Sequence, residues 1–281
     1  MKALVSILCV VMTSSLLALD VTVFINRDTL TTNGVNIAAC RFNSDIEFSR
    51  QNTTVQVAVG EILNITVVNN DILEHSFTID GILESDNLIN GGETASFEFQ
   101  VDQISSHRFY SDKPYGRLIG ACGILLVGFE SELCYFWNLL DTQAQLSHDL
   151  SNQVATEIPF NYVPHLFFIN GYAFPQILDD PNTAIEVQLN QPVVIAVANS
   201  GNMDHMLHWH GFHVEILYSA YQPERIGWIK DTFPVKKGDT MILHLIPDQL
   251  GIYPVHDHNL VTVTNLGIYP GGMLTRVTVV E

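Results

Sequence analysis

Thr54-Val-Gln-Val-Ala-Val59 is followed by Gly60-Glu61, then Ile62-Leu-Asn-Ile-Thr-Val-Val68 and the turn Asn69-Asn-Asp71. Side chains alternate between the two faces of a strand, so β-branched residues at period two, interrupted by turn formers, read as neighbouring half-buried strands. The grammar continues with a strand around His75-Ser-Phe-Thr-Ile79, a turn at Gly91-Gly-Glu-Thr94 and the alternating run Ala95-Ser-Phe-Glu-Phe-Gln-Val101. Short strands punctuated in this way predict a β-sandwich or barrel. Roughly 130 residues later the pattern recurs as Ile185-Glu-Val-Gln-Leu-Asn-Gln-Pro-Val-Val-Ile-Ala-Val-Ala-Asn199, which predicts an internal duplication. In each block a histidine-bearing segment comes next. A Gly turn, an alternating strand and a tyrosine-containing turn follow, Tyr110-Ser-Asp112 in the first and Tyr253-Pro-Val-His256 in the second.

At 281 residues, 47% hydrophobic and 15% charged, the chain has room for two packed domains. Met1-Lys2, an apolar run to Val11 and small residues up to Ala18 predict a cleaved secretory signal over 1–18, hence a secreted or periplasmic protein. Residues 19–131 are expected to form the first domain and 157–281 the second. Residues 132–156 lack alternation, Gly and Pro, and are expected to be a partly helical linker. A net charge of −18 argues against nucleic acid and anionic membranes as partners, and mildly favours cations. Beyond the signal stand Cys40, Cys122 and Cys134. In an oxidising compartment these allow one disulfide, in any of three pairings, and a leftover thiol. Cys122, in an apolar stretch, is expected to be a buried free thiol.

Six of the eleven histidines fall in two clusters, His205-Met-Leu-His208-Trp-His210-Gly-Phe-His213 and His256-Asp257-His258. On a strand, an H-x-H places both imidazoles on one face, so His208 with His210, and His256 with His258, make two pairs that converge if the strands are neighbours. Imidazole suits copper, zinc, iron and nickel. His213 is out of phase with this set. His244, in the apolar run Met241–Ile246, reads as structural.

With these residues in view, the chain resembles the multicopper oxidase and copper nitrite reductase superfamily, built from Greek-key cupredoxin-like β-sandwich domains. His205-x-x-His208-x-His210-Gly is similar to one copper motif of that family, and Tyr253-Pro-Val-His256-Asp-His258 with Gly271-Gly-Met273 to another. The opening Phe168-Ile-Asn-Gly-Tyr-Ala-Phe-Pro175 is also similar. The resemblance implies copper as cofactor, His205 at a type 1 position, His208 at a type 2 position, and His210, His256 and His258 at type 3 positions. The family's type 1 thiolate falls on Asp257, its further type 1 histidine on Thr262, and its axial methionine near Met273 at a longer spacing. Blue copper needs a thiolate, so no blue copper is expected. Asp257, facing away from its neighbours, either pairs with His205 or forms a different mononuclear site. The first block offers no H-x-H; His75 is its candidate single ligand.

Three functions follow. One is an exported copper-dependent oxidoreductase with a histidine-only site, acting on dioxygen or a small reductant. The second is a non-catalytic copper-binding, storage or resistance protein. The third is a structural module holding zinc or no metal. The resemblance also implies a homotrimer, with sites between subunits.

Overall fold

The computed structural model describes residues 18–84, 86 and 88–281, so nearly all of the expected signal segment lies outside the described residues. In the first half, β1 (Leu19–Thr32), β2 (Val35–Asn43), β3 (Thr54–Val57), β4 (Ile62–Asn69), β5 (Thr78–Ile79), β6 (Thr94–Gln100), β7 (Ser105–Tyr110) and β8 (Cys122–Val127) build two four-stranded sheets. Their orders are β2-β1-β4-β6 and β3-β8-β7-β5. The β1–β2 hairpin turns through Asn33-Gly34, both at positive φ, a pair whose backbone twist matches that of the flanking strands. Between the sheets lie Phe42, Phe77 and Phe109, their ring centroids 5.6–5.7 Å apart.

A one-turn helix α1 (Pro114–Arg117) joins β7 to β8. The second half contains β9 (Leu133–Thr142), α2 (Ala144–Ser151), β10 (Leu166–Ile169), β11 (Ile185–Gln188), β12 (Val193–Asn199), β13 (His205–Trp209), β14 (Val214–Ser219), β15 (Ile229–Lys230), β16 (Thr232–Val235), β17 (Thr240–Leu245), β18 (Gly251–Asp257) and β19 (Leu274–Val280). Its sheets run β10-β9-β12-β17-β14-β15 and β11-β19-β18-β13-β16. Each half repeats one device, an early strand parallel to a later one in both of its sheets. The pairs are β1 with β4 and β3 with β8, then β9 with β12 and β11 with β19.

The stretch expected as a linker is different. Residues 133–142 form β9, an integral strand of the larger sheet, and only α2 is helical. The alternation is missing because β9 is covered on both faces. Tyr135, Trp137 and Leu139 enter the second core, while Cys134 and Phe136 enter an apolar layer between the halves. That layer joins Ile124 and Leu126 of β8 to Val194, Ala196 and Ala198 of β12 and Ile242 of β17. Strands buried on both faces read as continuous apolar runs. Helix α2 packs back on the first half, where Ser147 Oγ accepts from the Ala38 N–H at 3.0 Å and Arg27 donates to the Ser151 carbonyl at 2.7 Å.

None of the three pairings that the cysteines allowed is formed among the described residues, and Cys122 is the buried free thiol expected. Cys40, Cys122 and Cys134 are all free thiols, the first two buried. Burial pushes the Cys122 thiol up.

Candidate metal centre

β13 and β18 are antiparallel neighbours, with His208 directly opposite His256. His210 N–H donates to the Pro254 carbonyl and His258 N–H to the Met206 carbonyl, so the other two histidines flank that central pair diagonally. All four imidazoles share the outer face of the sheet. The rings of His208 and His210 are 4.7 Å apart, of His208 and His256 5.4 Å, of His210 and His256 5.1 Å, and of His208 and His258 5.3 Å.

His208, His210 and His256 bring one ring nitrogen each within 4.8 Å of the others. His210 Nε2 and His256 Nε2 lie 3.0 Å apart. Two nitrogens bound to one ion at about 2.0–2.1 Å are separated by roughly that distance at angles near a right angle. The remaining nitrogens of His208 and His256 are already committed. His208 Nδ1 is 2.7 Å from Thr232 Oγ1, and His256 Nδ1 donates to the Asp257 carbonyl at 2.9 Å. The Asp257 carbonyl, which only accepts, fixes the His256 tautomer with Nε2 free to ligate, and the Thr232 hydroxyl can accept from His208 Nδ1 in the same way. Burial and the neighbouring His208 and His256 hold the His210 pKa down, which keeps its lone pair available. These donors fit a copper or zinc ion. His258, exposed past the end of β18, stands beside His208 but outside the three-donor group.

Gly211 ends this arrangement. It takes φ +76°, and a Cβ there would lie 2.5 Å from the Tyr253 ring, so the chain can leave β13 sharply only with glycine and thereby exposes His210.

His205 is not brought to this group. It is buried on the opposite face, its Nδ1 2.6 Å from Asp257 Oδ2 and its Nε2 3.4 Å from Asp141 Oδ2, with all three side chains fully buried. Burial alone would depress its pKa; hydrogen bonds and charge from Asp141 and Asp257 outweigh it and push the value up to about 9. Asp141 also accepts from Tyr162 Oη at 2.6 Å and the Asn202 N–H at 2.7 Å. Asp257 accepts from the Met206 and Asn259 N–H groups, both at 3.0 Å. An imidazolium between two carboxylates therefore stands where a blue site would need a thiolate. Asp257 pairs with His205, one of the two options its strand position left open. Thr262 is buried and donates to the Asn259 carbonyl, and Met273 is core, bonded through its carbonyl to the Asp257 N–H.

The first half repeats the geometry with other residues. Asn69 Nδ2 donates to the Leu73 and Ile89 carbonyls, as Asn199 Nδ2 does to those of Met203 and Val235. Six residues after each asparagine stands a buried histidine. His75 places Nε2 2.9 Å from Asp71 Oδ2 and Nδ1 2.9 Å from Ser111 Oγ. Burial opposes ionisation of Asp71, but His75 and the Arg27 guanidinium, 2.6 Å away, hold its pKa below the usual carboxylate range. Cys40 completes this buried cluster, its thiol pushed up to about 12 by burial. On the outer face, the residue pair Thr78 and Tyr110 takes the place of His208 and His256, and no imidazoles converge there among the described residues.

Of these, sequence reasoning missed Asp141, Asp71, Ser111, Cys40 and Thr232. Asp71 carries the one usable signal, four residues before His75 in a turn. His213 is exposed, and His244 is partly exposed with Nδ1 3.9 Å from Glu215.

Residues 146–271 match the multicopper oxidase family. Among solved structures, a blue copper oxidase from Nitrosomonas europaea superposes with a TM-score of 0.77 at 18% identity, covering 93% of this chain and 86% of that one. A copper nitrite reductase from the same organism gives 0.71 at 15%, covering 94% of each chain. A laccase from Botrytis aclada gives 0.71 at 16%, covering 93% of this chain and 52% of that one. A search of the curated proteins finds no match. The chain thus carries a multicopper oxidase domain over 146–271 and takes, over nearly its whole length, the two-sandwich cupredoxin fold of the multicopper oxidase and copper nitrite reductase superfamily. Copper is the cofactor of that family.

Proposed function

We propose that this protein is an exported, copper-dependent oxidoreductase whose metal sits on the outer face of β13 and β18, held by His208, His210 and His256 with His258 alongside, and with no type 1 copper. The observation that carries this reading is the 3.0 Å approach of His210 Nε2 to His256 Nε2, beside His208 and with the outer nitrogens of His208 and His256 already engaged. Copper bound there supplies one-electron redox chemistry. The chain's part is to orient the imidazoles and to leave an open side where dioxygen or a small reductant can reach. The inner face offers no thiolate relay, so a reductant is expected to act at the histidines directly rather than through a distant blue centre.

The outer face of β13 and β18 also exposes Met206 and Ile252. Exposed apolar residues grouped around polar ones suit an interface, which supports a homotrimer with the histidine face toward a neighbouring subunit. Retention of copper without turnover would favour a copper-storage or resistance role, because the same donors serve both.

The test is reconstitution with copper, desalting, metal analysis and electron paramagnetic resonance, followed by oxygen-consumption assays with small reductants. A type 2 signal or a coupled silent pair, without intense thiolate-to-copper absorption, supports the site. Unchanged copper stoichiometry in His208→Ala/His256→Ala would overturn it, and retained copper without oxygen consumption would leave the carrier reading.

A further inference from the structure

The chain has twelve basic residues against thirty acidic ones, yet three of the twelve line one cavity. This cavity, of about 220 Å³, opens between the two halves. Arg108 and Arg117 form its first-half wall; Ser200, Tyr221 and Lys237 form much of the other. Arg108 reaches it from β7, with Nε and one terminal nitrogen held on Asp80 Oδ2 at 2.8 and 2.7 Å, the guanidinium lying 5.0 Å over the Tyr110 ring and its other terminal nitrogen left without an ion pair among the described residues. Arg117 reaches it from the last position of α1. Lys237 projects from the turn before β17, and makes no ion pair among the described residues.

Two buried polar atoms in this lining lack hydrogen-bond partners, Arg117 Nε and Ser200 Oγ. Ser200 is 7% exposed, and its hydroxyl stands beside the Cys122 thiol, a weak partner. Buried donors without acceptors are costly, and each calls for a missing acceptor. The opposite wall is kept open by Gly238. A Cβ there would lie 3.1 Å from the Tyr221 hydroxyl, so the absence of a side chain preserves the space in front of that donor.

We infer that this cavity binds a small free oxyanion of the phosphate or sulfate class, held by Arg108 and Arg117 from one half and Ser200, Tyr221 and Lys237 from the other. Guanidinium forks suit tetrahedral oxyanions by geometry as well as charge. The volume admits such an ion with a few waters and nothing much larger. This site is independent of copper and lies apart from the four outer histidines. A bound anion bridges the two halves, so occupancy raises the stability of the whole chain.

The experiment is calorimetric titration of the full chain with inorganic phosphate at constant ionic strength, with chloride as the counter-titrant and sulfate as competitor. Thermal unfolding is followed in parallel. Saturable one-to-one binding is expected, displaced by sulfate. It should weaken about tenfold in Arg117→Gln and about threefold in Lys237→Gln. Lys237 is exposed, so that variant tests the site even if Arg117→Gln folds poorly. His256→Ala should bind phosphate as the parent does. Equal stabilisation by chloride, or binding undiminished in both cavity variants, overturns the inference. Binding lost instead in His256→Ala assigns the anion to the histidine face and overturns it equally.

Discussion

His75 and His205 occupy the same station in the two halves, six residues after an asparagine that makes the same pair of carbonyl contacts, yet their surroundings differ in charge. His75 shares Asp71 with Arg27 and rests on the neutral Ser111. His205 lies between two carboxylates with no other cation in contact. One β-sandwich plan thus holds either a carboxylate stabilised by cations or a cation stabilised by carboxylates. The residue that sets the difference follows Tyr110 in the first half and His256 in the second: Ser111 against Asp257. Only the half with the aspartate carries converging imidazoles on its outer face.

The sharpest way to break this contrast is Asp257→Ala. It strips the buried His205 of its nearer partner and should cost roughly 3–5 kcal/mol in chemical denaturation. A loss below ~1 kcal/mol would mean the pair is not charged. The second contrast is in pH. His205 has its folded pKa raised to about 9 against an unfolded value near ~6.5. Its contribution is therefore complete below about 6.5 and is lost as pH rises through about 9. Asp71 is shifted the other way, so its contribution is present above the ordinary carboxylate pKa of ~3.9 and fades as pH falls below it. Denaturation midpoints from pH 6.5 to 9.5 should decline in the parent and decline less in His205→Gln; parallel curves would refute the assignment.

Smaller effects concern the outer face. Thr232→Val removes the partner of His208 Nδ1 and should weaken copper binding roughly tenfold. His258→Ala, outside the three-donor group, should weaken it no more than about threefold, by competition with a chelator of known affinity. An effect of His258→Ala as large as that of His256→Ala would place His258 among the ligands.

These contrasts were unevenly legible in the sequence. Strands such as Ile62–Asn69 could be read because one face is buried and the other is not, which writes period two into the residues. The shared outer face of the H-x-H pairs, and the inward aim of Asp257, followed from the same periodicity. β9 was misread because both its faces are covered, which erases the alternation. Asp141 was invisible for that reason: it lies in β9 and meets His205 only through the packing of the two sheets. Ser111 and Thr232 carry no local pattern, since their roles are set by the strand opposite. Cys122 could be read as a buried free thiol from its apolar run, but the state of Cys40 and Cys134 could not, because spacing says nothing about which cysteines approach one another.

Trp209 sits between His208 and His210 on β13 and stacks on Trp137, with centroids 5.2 Å apart and planes 7° from parallel. Both indoles are buried, whereas Trp228, the third in the chain, is exposed. The protein therefore carries an optical gauge of its own. Copper arriving on the outer face should dim the blue-shifted emission of the buried pair and spare the red-shifted emission of Trp228. Zinc, with its filled d shell and no redox chemistry, should leave both bright.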